Sequence, residues 1–571
     1  MANSRCDRKA YADVIDVLWS SGSSPAVQPQ ASRLQERKPM KQATVRAAAI
    51  GSIALAVTLS AWAQTPGNTS EQLGKVKFPN SCSPAVQEKF TRGVAMLHSF
   101  WYSAAEQTFT EVAVEDNSCA IAAWGFASIL MSNPLSGAGA SAKDAPRAQG
   151  AIDKGRAMGA KTQRERDYLE AVAAYYEDFA NRPERARQLA RAKAYEALAA
   201  KYPDDDEAQI FYALYLAGTQ LPSDQTYSAW LKAAGILEKE FKKYPDHPGV
   251  AHYLIHSYDA PSIAQQGLPA ARLYAKIAPD APHALHMPSH IFTRVGAWSD
   301  SAATNRRSAD AAQKGREPDE ALHAMDYMSY AYLQLARDDD ARKTFDEARA
   351  VTGTNPARPA APYALAAMPA RYALERGAWR EAAQLEATPG KYPFTEAMTH
   401  FARALGAARS GDPASAQKEV ERIAVLRDEL KAAKNEYWAN EVEVMRLSSL
   451  AWVSLAQKKS DEALGLMRQA ADMEDKSEKN IVTPGRLVPA RELLGDMLLE
   501  MKRPAEALKE YEASQVREPN RYRGLYGAGM AASESGDTSK AKLYFSRLVD
   551  MSGSATARTE TGKARAYLAR N

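Results

Sequence analysis

A 34-residue step runs through this 571-residue chain and limits its fold more than any other feature. Gly495, Ala507 and Tyr511 recur 34 residues on as Gly529, Ala541 and Phe545. A small residue midway along one helix lets a partner helix approach closely. An alanine and an aromatic four apart share one face of that partner and fill the space between units. A step of this length is one helix-turn-helix unit of a solenoid, which buries its apolar surface only by stacking on further units. The composition agrees: alanine is abundant, while valine and isoleucine are sparse, which favours helix over sheet. The chain is also too long for one compact core, and a repeat array accommodates that length.

The pattern resembles the tetratricopeptide repeat, which has a small residue at position 8, alanine at 20, an aromatic at 24 and often proline near 32. Pro519 stands at that last place. The resemblance implies an all-α, right-handed α-solenoid of tandem helix-turn-helix repeats. Ala105 and Phe109 take places 20 and 24 of a first repeat near 86–118. Repeats are expected over 86–245, 246–353 and 354–553, with a polar capping helix over 554–571. Ser136–Ala145 reads as the one flexible loop.

The N-terminus reads separately. Lys41 and Arg46 precede an apolar run, Ala47–Leu59, and then Ala61-Trp62-Ala63. A basic start, an apolar run and a small-x-small cleavage site are the three parts of a secretory signal, here residues 40–63. The run is too short to span a membrane, and no later stretch is long enough. Residues 1–39 are expected to be a leader that is not translated or is disordered. Residues 64–85 form an extension before the repeats. The expected location is periplasmic or secreted. Cys82 and Cys119 are the cysteines beyond the leader. In an oxidising compartment they are expected to form a disulfide worth roughly 3–4 kcal/mol to the first repeat, with two buried thiols as the alternative.

Charge excludes one class of function. Outside residues 1–63, 65 basic and 65 acidic side chains remain of the 73 and 69. A neutral chain lacks the electrostatic footprint of a nucleic-acid binder.

Six of the nine histidines fall between His247 and His290. His252 and His256 are four apart, as are His286 and His290, and 34 residues separate the matching members. Residues i and i+4 share a helix face, so two successive repeats present the same pair of imidazoles. With Gly296 and Trp298 at the turn, His283, His286 and His290 fall at repeat positions 2, 5 and 9. With Ala341, Phe345 and Ala348 fixing the next unit, His323 and Asp326 fall at 2 and 5. The resemblance implies that these positions line the concave groove where such repeats bind ligands. His252, His256, His283, His286, His290 and His323 are therefore the candidate ligands of one transition ion, zinc or copper. Tyr253, Asp259, Met287 and Asp326 are additional groove candidates, with Met287 favouring copper. Pro288 is expected to remove one helical hydrogen bond and bend the helix that carries His286 and His290. His247, before Pro248, reads as a helix-start residue. His98 reads as packed against Phe100, Trp101 and Tyr102, and His400 has no role.

The core His252–His256, Pro282–Phe292 and the opening around Cys82 and Leu97–Tyr102 resemble exported bacterial tetratricopeptide proteins, most specifically over residues 75–350. That resemblance implies architecture and the importance of the core, not a reaction. Other motifs are absent. His252-Tyr253-Leu254-Ile255-His256 lacks the glutamate of the zinc-protease motif. Gly527-Ala528-Gly529 falls inside a repeat helix with no strand before it, so no nucleotide cofactor is expected. Three functions stay open: an exported solenoid that binds a protein, peptide or small molecule in its groove around a histidine-held metal; a metal-dependent hydrolase or oxidase using the same cluster; and a metal-free assembly scaffold.

Overall fold

The structure is a computed structural model and describes residues 71–553 and 558–571. The leader, the export signal and the cleavage site lie outside the described residues. From Gln72 onward the chain is an all-α solenoid of tandem helix pairs, and no strand forms among the described residues. The first pair is Gln87–His98 with Tyr102–Glu115, and the last is Tyr522–Glu534 with Thr538–Ser552. A final helix, Thr559–Arg570, packs on that last pair.

The repeat register is visible in the packing. A Cβ on Gly495 would come within 2.7 Å of the Tyr511 ring, and one on Gly529 within 2.5 Å of the Phe545 ring. The first repeat does the same sixteen residues apart, where Gly93 faces Phe109. Each glycine therefore admits the aromatic of its own second helix. The Cys82–Cys119 disulfide closes the first unit. Among the described residues, no helix is long and apolar enough to cross a membrane.

The inside of the solenoid is filled rather than open at its centre. The Pro248–Ser257 helix packs against the Gln87–His98 helix, four units earlier. The Pro318–Gln334 helix packs against Tyr522–Glu534, five units later. Between Ser460–Glu474 and Ala490–Glu500 runs an irregular segment, 475–489, that crosses to the middle of the array. Tyr327 donates to the Ile481 and Thr483 carbonyls, and Arg371 donates to Thr483 and Gly485. Tyr227 donates to Glu478, and the Glu478 backbone N–H bonds Pro222. Buried Arg521 pairs with Glu375 and Glu492, which ties the last unit to the middle ones. Backbone groups buried in an irregular segment need partners, and neighbouring units supply them here.

Candidate functional site

The histidines sit on three neighbouring first helices, Pro248–Ser257, Pro282–His286 continuing as Pro288–Arg294, and Pro318–Gln334. Pro288 interrupts the hydrogen-bond ladder at Met287, but Met287 keeps helical angles (φ −53°, ψ −37°). His286 and His290 therefore remain on one face, and their Nε2 atoms are 3.1 Å apart. His252 and His256 repeat this geometry, again at 3.1 Å.

The six imidazoles resolve into two sets of three rather than one ring of six. His252, His256 and His283 bring one ligand atom each within 4.8 Å of one another, and so do His286, His290 and His323. His323 is half-buried, and the other five are buried. Burial, reinforced by neighbouring imidazoles, holds His252, His256 and His286 well below their ordinary pKa. Burial likewise lowers His290 to about 4, against the pull of Asp259, and His323 to about 3. All five are neutral at pH 7, which is the form that binds metal.

The outer nitrogens are held by acceptors. His252 Nδ1 lies 2.7 Å from the His98 carbonyl, and His283 Nδ1 lies 3.1 Å from Glu320. His286 Nδ1 lies 2.7 Å from Asn305 Oδ1, whose amide nitrogen is occupied with the Ser301 carbonyl. His290 Nδ1 lies 2.9 Å from Asp259. Each set thus has one ring anchored on a neutral oxygen and one on a carboxylate. Such partners fix ring orientation and tautomer at metal sites.

The anchoring has a consequence for the second set. With Nδ1–H donated outward, His286 and His290 each present a bare Nε2 lone pair, and the two lone pairs face each other at 3.1 Å. No proton joins them unless one ring is charged, and burial opposes that. Two nitrogens bound to one tetrahedral ion at about 2.0–2.1 Å stand about 3.3–3.4 Å apart, close to the spacing found.

The additional candidates take other places. Asp259 is an outer partner. It accepts from His290, Arg294 and Lys479, and those two cations hold its carboxyl well below the ordinary range despite burial. Asp326 pairs with Arg371 and stands outside both sets, and burial pushes its carboxyl up to about 6. The Tyr253 hydroxyl bonds His98 Nδ1, and Met287 is fully buried in the apolar core. His98 stacks on Phe211 and bonds Glu207, so its aromatic neighbour comes from another unit than expected. His247 caps the Pro248–Ser257 helix by accepting from the Val250 N–H and also bonds Glu207. His400 bonds Glu419, away from the cluster.

Sequence reasoning missed several residues of the site. Phe100, in the left-handed region at φ 51°, places its ring 4.4 Å from that of His252 and 5.5 Å from that of His283. Tyr274 stacks on His252, and Tyr327 lies edge-on to His286 at 4.7 Å. Lys479 arrives from the 475–489 segment, with its pKa lowered by burial to about 8. The Leu97–Tyr102 opening was the one available signal for Phe100. Nothing local marks Lys479 or Asn305.

No family model matches the chain, and no curated protein matches it. Solved structures do. The APC/C hetero-tetramer Cut9-Hcn1 aligns at 11% identity and a TM-score of 0.27, over 84% of this chain and 95% of that one. Human IFIT1, solved as a dimer with m7Gppp-AAAA, aligns at 12% identity and a TM-score of 0.34, over 80% of this chain and 95% of that one. Scores of this size do not establish a common superhelix. The solenoid assignment rests on this chain's own helix pairs.

Proposed function

We propose that this solenoid is a metal-binding protein that holds a transition ion, copper or zinc, on His286, His290 and His323 at its closed centre. One observation carries the reading: two Nε2 lone pairs, each fixed by an outward-donating Nδ1, facing each other inside the protein. A cation between them removes the repulsion, and neutral imidazoles suit copper and zinc. The groove at this point is taken by the chain's own 475–489 segment, so the ligand of this site is the ion and not a bound peptide. An exported location goes with the reading, supported by the disulfide and by the signal-like residues 40–63.

A second reading, a metal-dependent enzyme, draws on the count of protein ligands. Three imidazoles leave a fourth position open, as catalytic sites do, and His323 gives that side partial exposure. Elemental analysis of protein purified without a histidine tag tests the first reading. The wild type is expected to carry metal, and the His286→Ala/His290→Ala double variant to lose the ion bound there. Full metal in the double variant overturns it. Metal-dependent turnover of esters, amides or phenols would favour the enzyme.

A further inference from the structure

The first set of imidazoles repeats the second, and it has unsatisfied nitrogens of its own. His252 donates Nδ1–H to the His98 carbonyl, so its Nε2 is a bare lone pair 3.1 Å from His256 Nε2. His283 donates Nδ1–H to Glu320, and its Nε2 is buried without a partner. His256 Nδ1 is also buried without a partner. A hydrogen bond from His256 to His252 satisfies one of these atoms and leaves the His283 lone pair stranded. Buried polar atoms without partners cost about 1–3 kcal/mol each, so a chain that strands them beside one another has a use for them.

The two sets also touch. The His256 and His290 rings are 5.6 Å apart and the His283 and His286 rings 5.9 Å. Within the sets, neighbouring rings lie at 4.9 Å for His252 and His256 and 5.0 Å for His286 and His290. These spacings leave no room for another side chain between the contacting rings. The 34-residue step that builds the solenoid thus places two equivalent three-imidazole sites edge to edge.

We infer that the two sets together form one dinuclear centre for a pair of copper-class ions, an inference that rests on the metal reading of the second set. His252, His256 and His283 hold one ion and His286, His290 and His323 the other. Neither site has a thiolate or carboxylate donor. The cysteines of the first unit are joined to each other, and Glu320 and Asp259 are engaged through Nδ1. An all-imidazole donor set suits copper and is poor for magnesium, calcium or manganese. Phe100 and Tyr274 wall the first site and Tyr327 the second, so solvent approaches chiefly past half-buried His323.

The test loads tag-free, full-length protein with Cu²⁺ during refolding and removes the excess. Copper per chain is then measured together with the spin per chain from integrated electron paramagnetic resonance. The expected result is two coppers per chain with less than half the spin of two independent ions, because adjacent Cu²⁺ ions couple. His252→Ala/His256→Ala and His286→Ala/His290→Ala are each expected to retain one copper per chain with one full spin. One copper per chain in the wild type overturns the inference, and so do two coppers with two full spins. No copper at all overturns the underlying metal reading instead. Circular dichroism checks that the variants fold, and if they do not, the wild-type count and spin decide alone.

Discussion

Asp259→Asn separates the outer partner of the site from its ligands. In the wild type the Asp259 carboxylate accepts from His290 Nδ1 at 2.9 Å, from Arg294 at 2.8 Å and from Lys479 at 3.3 Å, all buried. The amide keeps the shape and one acceptor oxygen, so His290 retains its tautomer. It removes the negative charge that faces two buried cations. Breaking a buried pair costs about 3–5 kcal/mol because the surviving charge stays desolvated. Arg294 keeps Glu478 as a second partner at 3.3 Å, so the lower end, about 3 kcal/mol, is expected. At about 2.1 cal/mol/K of unfolding entropy per residue over roughly 500 residues, that loss lowers the melting temperature by about 3 °C. Loss of an outer partner typically weakens metal binding by about 10–100-fold. The assays are thermal unfolding of the metal-free proteins and a competition titration against a chelator for metal affinity. Unchanged affinity together with lowered stability refutes the assignment of Asp259 to the site and leaves it a counter-ion of the 475–489 segment. Unchanged stability refutes the claim that Lys479 and Arg294 depend on it.

Two further outcomes follow from other parts of the fold. Glu474 is buried beneath the 475–489 segment, and burial pushes its pKa from the ordinary 4.5 up to about 8, against Arg486. Between those values the folded state holds a proton that the unfolded state has released. Stability is therefore full below pH 4.5 and falls by about 1.4 kcal/mol per pH unit until pH 8. Glu474→Gln is expected to remove that slope, measured by denaturant unfolding at pH 5, 6, 7 and 8; an unchanged slope refutes it. The Cys82–Cys119 bridge closes 37 residues of the first unit. Its reduction is expected to cost that unit roughly 3–4 kcal/mol, seen as loss of amide protection in 87–115 ahead of the rest. Uniform loss along the chain would contradict a local role.

The fold was legible because a solenoid is a local code. Gly495, Tyr511, Gly529 and Phe545 each meet partners within their own pair or the next one, at separations the 34-residue step already contains. The histidine pairs were legible for the same reason: His286 and His290 are a helix turn apart, and the shared face follows from i, i+4 spacing even across Pro288. What their sequence did not contain was the division into two sets. The position of His283 depends on how three helices lean on one another, and the ring of Phe100 enters from a unit about 150 residues earlier. The outer acceptors Asn305 and Glu320 lie on helices adjacent to their histidines, but polar residues at many other positions read just as well for that role.

The closing of the centre shows most clearly where periodicity stops informing. Lys479 meets Asp259 across 220 residues and Tyr227 meets Glu478 across 251. No repeat position predicts either contact, because the 475–489 segment belongs to no repeat. A groove left open would hold its histidines in water, where they titrate near 6.5 and bind ions in competition with solvent. Filled by the chain's own segment, the same six imidazoles are desolvated, neutral and fixed in direction. The insertion that breaks the repeat is therefore what turns a row of groove histidines into a site with an enforced geometry. Segment and site should consequently lose order together: a deletion that shortens 475–489 should raise the exposure of His286 and His290 to carbethoxylation, while an equal deletion in the loop 136–141 should leave them protected.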